Sequence, residues 1–149
     1  MIDTEIFNSD HKPSPKQKEA IIDFLFTHLE KYGDPKPDIQ KALDYSMNEG
    51  ESFGGFTIVS SNKDQITGVV LVNRTGMKDY IPENILVYIA THNEMRGQGI
   101  GKALMQKAID EAEGDIALHV EPDNPAKFLY EKFGFTNKYL EMRYKRNGK

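Results

Sequence analysis

The stretch NEMRGQGIGKALMQKAID, Asn93 to Asp110, places Gly97, Gly99 and Gly101 directly after Arg96. Ile100, Ala103, Leu104, Ala108 and Ala112 then recur at helical spacing, with charged residues opposite. Glycine weakens a helix, so three of them at its start call for another reason. A helix N-terminus leaves backbone N–H groups unpaired and carries partial positive charge, which suits phosphate. Glycine lets the backbone approach a ligand closely and adopt dihedrals closed to other residues. A strand–RGQGIG–helix unit therefore reads as an anion cradle, most naturally for a pyrophosphate, with Arg96 adding charge at the rim. It also reads as a tight strand-to-helix connection. Two phosphate motifs fail on spacing. The dinucleotide fingerprint needs G-x-G-x-x-G opening a βαβ unit, but here G-x-G-x-G follows an antiparallel-looking strand series. The P-loop needs G-K-[ST], but Ala103 follows Gly101-Lys102.

Working outward, three strand-like runs precede this segment: FTIVS, QITGVVLVN and ENILVYIAT. SNKD between the first two predicts a hairpin turn, and RTGMKDYIP makes a longer loop before the third. Upstream, TEIF (Thr4–Phe7) predicts a short strand. Ser14 as N-cap, Pro15 at the first helical position and Gln17 three residues after the cap predict a helix start. Ile21, Leu25, Leu29 and Tyr32 continue that helix, and Gly33 is expected to end it in a left-handed turn. DPKP is a turn, and a second helix is predicted from about Pro37 to Asn48. Downstream, IALHV predicts a buried strand. NPAKFLYEKFGF predicts a short helix with Asn124 as N-cap, Pro125 first and Gly134 as terminator, and KYLEMRY a closing strand. The order β-α-α-β-β-β-α-β-α-β predicts one α+β domain over residues 1–149, with a mixed, mostly antiparallel sheet flanked by helices.

The chain has 149 residues, 38% hydrophobic and 28% charged, the composition of an ordinary globular protein with one core. A net charge of −4 argues against a nucleic-acid partner held by phosphate neutralisation and leans toward cationic ones. The absence of cysteine removes disulfides, thiolate metal sites and a cysteine nucleophile. No metal is expected. The start MIDTEIFNSDHKPS has no basic segment followed by an apolar run, and no stretch has the length of a membrane span, so the expectation is a cytoplasmic protein without a membrane partner.

Arg96-Gly97-Gln98-Gly99-Ile100-Gly101 resembles the R/Q-x-x-G-x-G/A signature of the GNAT superfamily of acyl-CoA-dependent N-acetyltransferases. FLYEKFGF, Phe128–Phe135, resembles that family's second hallmark, and the likeness extends over roughly Phe56 to Tyr144. The resemblance implies acetyl-CoA as co-substrate. It implies a cleft where the ILVYIAT strand splays from the IALHV strand, with the pantetheine arm pairing along Ile89, Ala90 and Thr91. One N–H there would hold the thioester carbonyl. The amides of Arg96, Gly97, Gln98, Gly99, Ile100, Gly101 and Lys102 would hold the pyrophosphate. An amine would attack directly, as the primary amine of a small molecule or a peptide. A homodimer is compatible with the family.

The resemblance places Tyr130 where it would protonate the departing thiolate. Tyr130 also shares a helical face with Ala126, Leu129 and Phe133, which fits plain core. Glu83 opens the fourth strand, where some members carry a catalytic glutamate, or it is a solvated residue after Pro82. His92 lies next to the cofactor loop as a base or a solvated residue. His119 fits a packed core histidine, and Tyr80 and Tyr88 either line an acceptor pocket or pack. Two departures stand out. Asn93 replaces the proline often found three residues before the signature arginine. The family asparagine lies seven residues before the tyrosine, where this chain has Asp123, with Asn124 one place later. The alternative to an enzyme is a non-catalytic acyl-CoA-binding or sensing module on the same fold.

Overall fold

Ser14 starts the first helix through a reciprocal pair of hydrogen bonds. Its Oγ accepts from the Gln17 N–H at 3.1 Å, and Gln17 Oε1 accepts from the Ser14 N–H at 2.8 Å. Pro15, which has no N–H to leave unpaired, takes the first position of α1, Pro15–His28. The computed structural model describes residues 3–148, which divide into two units, residues 3–118 and residues 119–148.

The first unit is a five-stranded sheet with helices on both faces. Its strands are β1 (Asp3–Phe7), β2 (Gly55–Asn62), β3 (Gln65–Arg74), β4 (Asn84–Thr91) and β5 (Ile116–Leu118), in that spatial order. Pairing is antiparallel from β1 to β4 and parallel between β4 and β5. This is the mixed, mostly antiparallel sheet expected. The hairpin between β2 and β3 turns on Lys63 and Asp64, with Lys63 left-handed at φ 59 and Asn62 paired with Gln65. Alternation along each strand sends Phe7, Val59, Val69, Leu71, Tyr88 and Ala90 to one face. There they meet Ile21, Phe24 and Leu25 of α1, and Ile39 and Leu43 of α2 (Lys36–Ser46). The other face carries α3, Ile100–Glu111. It seats directly on β3 at Gly68, where a Cβ would stand 2.6 Å from Leu104 Cδ1 and 2.9 Å from Ile100 Cγ2.

Gly55 shows how tightly the sheet is built. A Cβ there would lie 2.1 Å from the Val72 carbonyl oxygen and 2.8 Å from Asn73 Cα, both backbone atoms that only a strand displacement can move. Gly55→Ala is expected to cost about 3 kcal/mol of stability. Chemical denaturation measures it, and an unchanged midpoint would contradict the packing described.

Four local expectations are corrected. Gly33 is extended (φ −96, ψ −171), and Glu30 takes the left-handed position at φ 55 as the chain leaves α1 into the 3-10 turn Glu30–Tyr32. Glycine at 33 serves space, since a Cβ would meet Leu29 Cβ at 2.8 Å. The predicted strand IALHV is only β5, half-buried, and His119 beyond it is exposed. In the second unit the helix is α4, Ala126–Lys132. Asn124 Oδ1 still accepts from the Ala126 N–H at 2.9 Å, and Gly134 is left-handed at φ 94, so only the boundary moves. KYLEMRY forms no strand among the described residues, and Tyr139, Leu140, Met142 and Tyr144 are exposed. Period-two alternation names a face for a strand but supplies no neighbour to pair with.

Candidate active site

The open edge of β4 is the first component. β5 covers only Asn84, Ile85 and Leu86, so Val87 to Thr91 have no partner strand on that side within the unit. The register with β3 shifts here, because Leu71 pairs with Tyr88 and Val72 with Leu86, which leaves Val87 as an extra residue. Such a bulge twists the strand and re-aims its backbone groups. The His92 N–H donates to the Thr67 carbonyl on β3 at 2.9 Å. Backbone groups alternate along an antiparallel strand, so Ala90 also turns to β3, while Ile89 and Thr91 present their N–H and C=O to the open edge. Of the three residues expected to pair with a pantetheine arm, Ile89 and Thr91 therefore have the groups free in direction, and Ala90 does not.

The second component is the loop into α3. After β4 the chain makes a 3-10 turn, Asn93–Met95, and reaches Gly97 at φ 83 and Gly99 at φ 80. Both dihedrals disfavour any side chain, and a Cβ at either would meet nothing within 4 Å. The backbone is therefore bare toward open space at both positions. Gly101 lies inside α3 and has no such dihedral. The first helical bond runs from the Ala103 N–H to the Gly99 carbonyl at 3.0 Å, which leaves the Ile100, Gly101 and Lys102 N–H groups without partners inside the helix. Three amides, two bare glycines and the positive end of a helix fit a pyrophosphate.

The Arg96 guanidinium is turned toward the end of α1. It pairs with Glu30 at 2.9 Å and donates to the His28 carbonyl at 3.1 Å, so it caps the C-terminus of α1. Only the Arg96 backbone remains for the cradle, and Lys102, exposed in the first turn of α3, is the cation next to the free amides. His92 Nδ1 accepts from the Glu94 N–H at 3.1 Å and caps the 3-10 turn. His28, at the end of α1, went unnoticed in the sequence. Its Nδ1 accepts from the Asn93 N–H at 3.1 Å. Burial, with His92 and Arg96 nearby, holds its pKa below the usual 6.5. Phe24 and His28 share a face at a spacing of four, but nothing in the sequence joins that face to Asn93.

Glu83 is tied elsewhere. Its carboxylate accepts from the Asp115 N–H at 2.8 Å and the Asp79 N–H at 3.4 Å. Those amides, Asp115 first, hold its pKa below the usual carboxylate range. From Glu83 to Ile89 an extended strand runs roughly 17–20 Å. At that distance along the strand the Glu83 carboxylate tethers the loop before β4 to the Asp115 turn. Tyr80 is 80% exposed. Tyr88 is buried on the α1–α2 face, and its hydroxyl donates to Asp34 Oδ2 at 2.6 Å, so the DPKP turn is pinned to β4 beside Ile89. Burial, followed by the Asp34 bond, pushes the Tyr88 phenol well above 10 and keeps it protonated. In the second unit Tyr130 is buried, its ring lies 6.1 Å from that of Phe135, and burial pushes its phenol up to about 12. Among the described residues there is no cluster of three or more metal-ligating side chains, and no helix is long and apolar enough to cross a membrane.

Comparison with known proteins bears on the family and the fold. A family model described as the acetyltransferase (GNAT) domain matches residues 53–137, more than half of the chain. Over 98 residues the chain is 30% identical to N-alpha-acetyltransferase 30 of Schizosaccharomyces pombe, covering 62% of this chain and 65% of that protein. Over 60 residues it is 38% identical to the cysteine-rich protein 2-binding protein of Mus musculus, covering 39% of this chain and 8% of that one. The chain thus spans only a small part of the mouse relative and just under two thirds of the yeast one. Its fold is similar to that of a chain in the NatC complex bound to Gag peptide and CoA, with a TM-score of 0.70 at 19% identity, covering 91% of this chain and 84% of that chain.

Proposed function

The chain belongs to the GNAT acetyltransferases, and from that premise we propose that it moves an acetyl group from acetyl-CoA to a primary amine by direct attack, with both substrates bound together. The observation that carries this is the pairing of a bare-glycine helix start at Gly97 and Gly99 with the open edge of β4. The Gly97 to Lys102 backbone holds the pyrophosphate. Ile89 and Thr91 align the pantetheine arm, and an outward N–H at Ile89 polarises the acyl carbonyl and stabilises the charge that develops on its oxygen. Bound acetyl-CoA supplies the acetyl group as a thioester. The family's second hallmark, FLYEKFGF, is what supports Tyr130 as the acid for the leaving sulfur, and burial keeps its phenol protonated.

The amine approaches from the opposite face of the sheet. Ile89 and Thr91 pair with Val70 and Gly68, and Gly68 lies under α3, whereas Tyr88 points to α1 and α2. Asp34, fixed by Tyr88, and Asp38 on α2 supply negative charge there for an ammonium group. The likeness to an N-alpha-acetyltransferase supports the α-amine of a polypeptide as the acceptor. Calorimetric titration with acetyl-CoA tests the first substrate, and an absence of binding at millimolar concentration would refute the proposal. Thiol release with peptides bearing free or blocked α-amines tests the second. Asp34→Asn keeps an acceptor for the Tyr88 hydroxyl but removes the charge. It is expected to raise the KM for cationic acceptors roughly tenfold with little change in acetyl-CoA affinity. An unchanged KM would remove Asp34 from the acceptor site.

A further inference from the structure

The last turn of α1 reaches the loop that leads into the glycine cradle, and it does so through two imidazoles. His28 Nδ1 accepts from the Asn93 N–H, and His92 Nδ1 accepts from the Glu94 N–H, both at 3.1 Å. The two rings lie 4.3 Å apart, and Phe24 backs His28 at 4.5 Å. Arg96 closes the junction by donating to the His28 carbonyl and pairing with Glu30. The Met95 N–H donates to the His92 carbonyl at 2.8 Å, so every residue from Asn93 to Arg96 is fastened, immediately before Gly97.

We propose that His28, stacked on His92, is a positioning residue that clamps the β4–α3 loop in its cofactor-holding shape only while its ring is neutral, so that acid releases the loop. The ligand in this inference rests on the acetyl-CoA reading above. The clamp itself rests on the hydrogen bonds. An imidazole nitrogen that accepts from a backbone N–H carries no proton, and protonation turns it into a donor facing a donor. The charged groups facing His28 divide as follows: His92 from the end of β4 and Arg96 from the loop oppose its proton, while Glu30 beyond α1 and Glu94 in the 3-10 turn favour it. Burial adds to the opposing side and outweighs the two glutamates, since the His28 pKa is lowered. In a released loop the ring returns toward its ordinary value of about 6.5. The released state therefore binds protons more readily than the clamped one. The clamp holds fully above about pH 6.5 and weakens as the pH falls below it.

Asparagine places Oδ1 where the imidazole Nδ1 accepts, and it does not titrate. The test titrates acetyl-CoA into wild type and into the double variant His28→Asn/His92→Asn at about pH 7.5 and about pH 5.5. Wild type is expected to lose about tenfold more affinity over that interval than the double variant does. Taking the difference cancels the titration of the cofactor's own phosphates, whose second pKa lies near 6. His28→Phe keeps a ring against Phe24 and His92 but accepts nothing, and it is expected to bind about fivefold more weakly at pH 7.5. An equal acid loss in wild type and double variant overturns the proposal, as does a His28→Phe protein that binds like wild type. A second readout needs no ligand. Amide hydrogen exchange at Asn93 and Glu94, corrected for intrinsic rate, is expected to speed up on acidification in wild type and not in the double asparagine variant. If those amides respond while acetyl-CoA fails to bind at any pH, the clamp stands and the acetyl-CoA reading falls. If they do not respond, the clamp falls, whatever binds.

Discussion

Gly99→Val is expected to weaken acetyl-CoA binding by about 100-fold or more while lowering the melting temperature by only about 2–8 °C. The two numbers differ because they come from different parts of the same position. The backbone at Gly99 is left-handed at φ 80, and a side chain there costs about 1–2 kcal/mol wherever it points. Nothing in the chain lies within 4 Å of where the Cβ would be, so the free protein gains no clash. The valine methyl groups stand in the open space above the first amides of α3, where a pyrophosphate would be held. A 100-fold loss corresponds to about 2.7 kcal/mol, an ordinary magnitude for excluding a charged group from its hydrogen bonds. Gly50 supplies the control. It is left-handed at φ 77, also has nothing within 4 Å, and sits in the loop between α2 and β2. Gly50→Val is expected to cost similar stability and no affinity. Paired calorimetric and thermal measurements on the two variants decide the matter. If Gly99→Val binds acetyl-CoA as wild type does, the cradle is a strand-to-helix connection and nothing more.

Legibility in the sequence followed the range of the interaction. Ser14, Pro15 and Gln17 act within four residues, and the helix start was readable from them, as was the Lys63–Asp64 hairpin. Gly97 and Gly99 were readable as backbone positions because left-handed dihedrals are a local demand, although Gly33 shows that a glycine serves tight packing as readily. The partners of the Arg96 side chain were not legible, for the opposite reason. Those partners, Glu30 and the His28 carbonyl, lie more than sixty residues away. His28, Asp34 and the bulge at Val87 belong to the same class. Each has meaning only through a residue brought near by the sheet: Asn93, Tyr88 and Leu71 in turn. Glu83 could be placed at the start of a strand from sequence. Only the Asp115 and Asp79 amides show what holds its carboxylate.

Tyr130→Phe is expected to lower kcat by about 10²–10³-fold with acetyl-CoA affinity and melting temperature nearly unchanged. The substitution removes one hydroxyl and keeps the ring that faces Phe135, so packing has little reason to respond. The direction of the pKa shift decides which role the phenol can play. Burial raises it to about 12, and it remains protonated throughout the neutral range. A base would have to be ionised, and its contribution would appear only as the pH approached 12. An acid contributes in full below that value, so the rate is expected to show no decline from Tyr130 between about pH 7 and pH 10. The ammonium form of the acceptor predicts a rise over part of that range, since only the neutral amine attacks. That rise should survive in Tyr130→Phe, displaced downward by a constant factor. A variant whose pH profile changes shape rather than height would move the titrating group to Tyr130 itself and contradict the acid role. One that keeps full kcat would return Tyr130 to the packing reading. Loss of melting temperature with kcat retained would do the same, and the leaving sulfur would then have to take its proton from solvent entering along the open edge of β4.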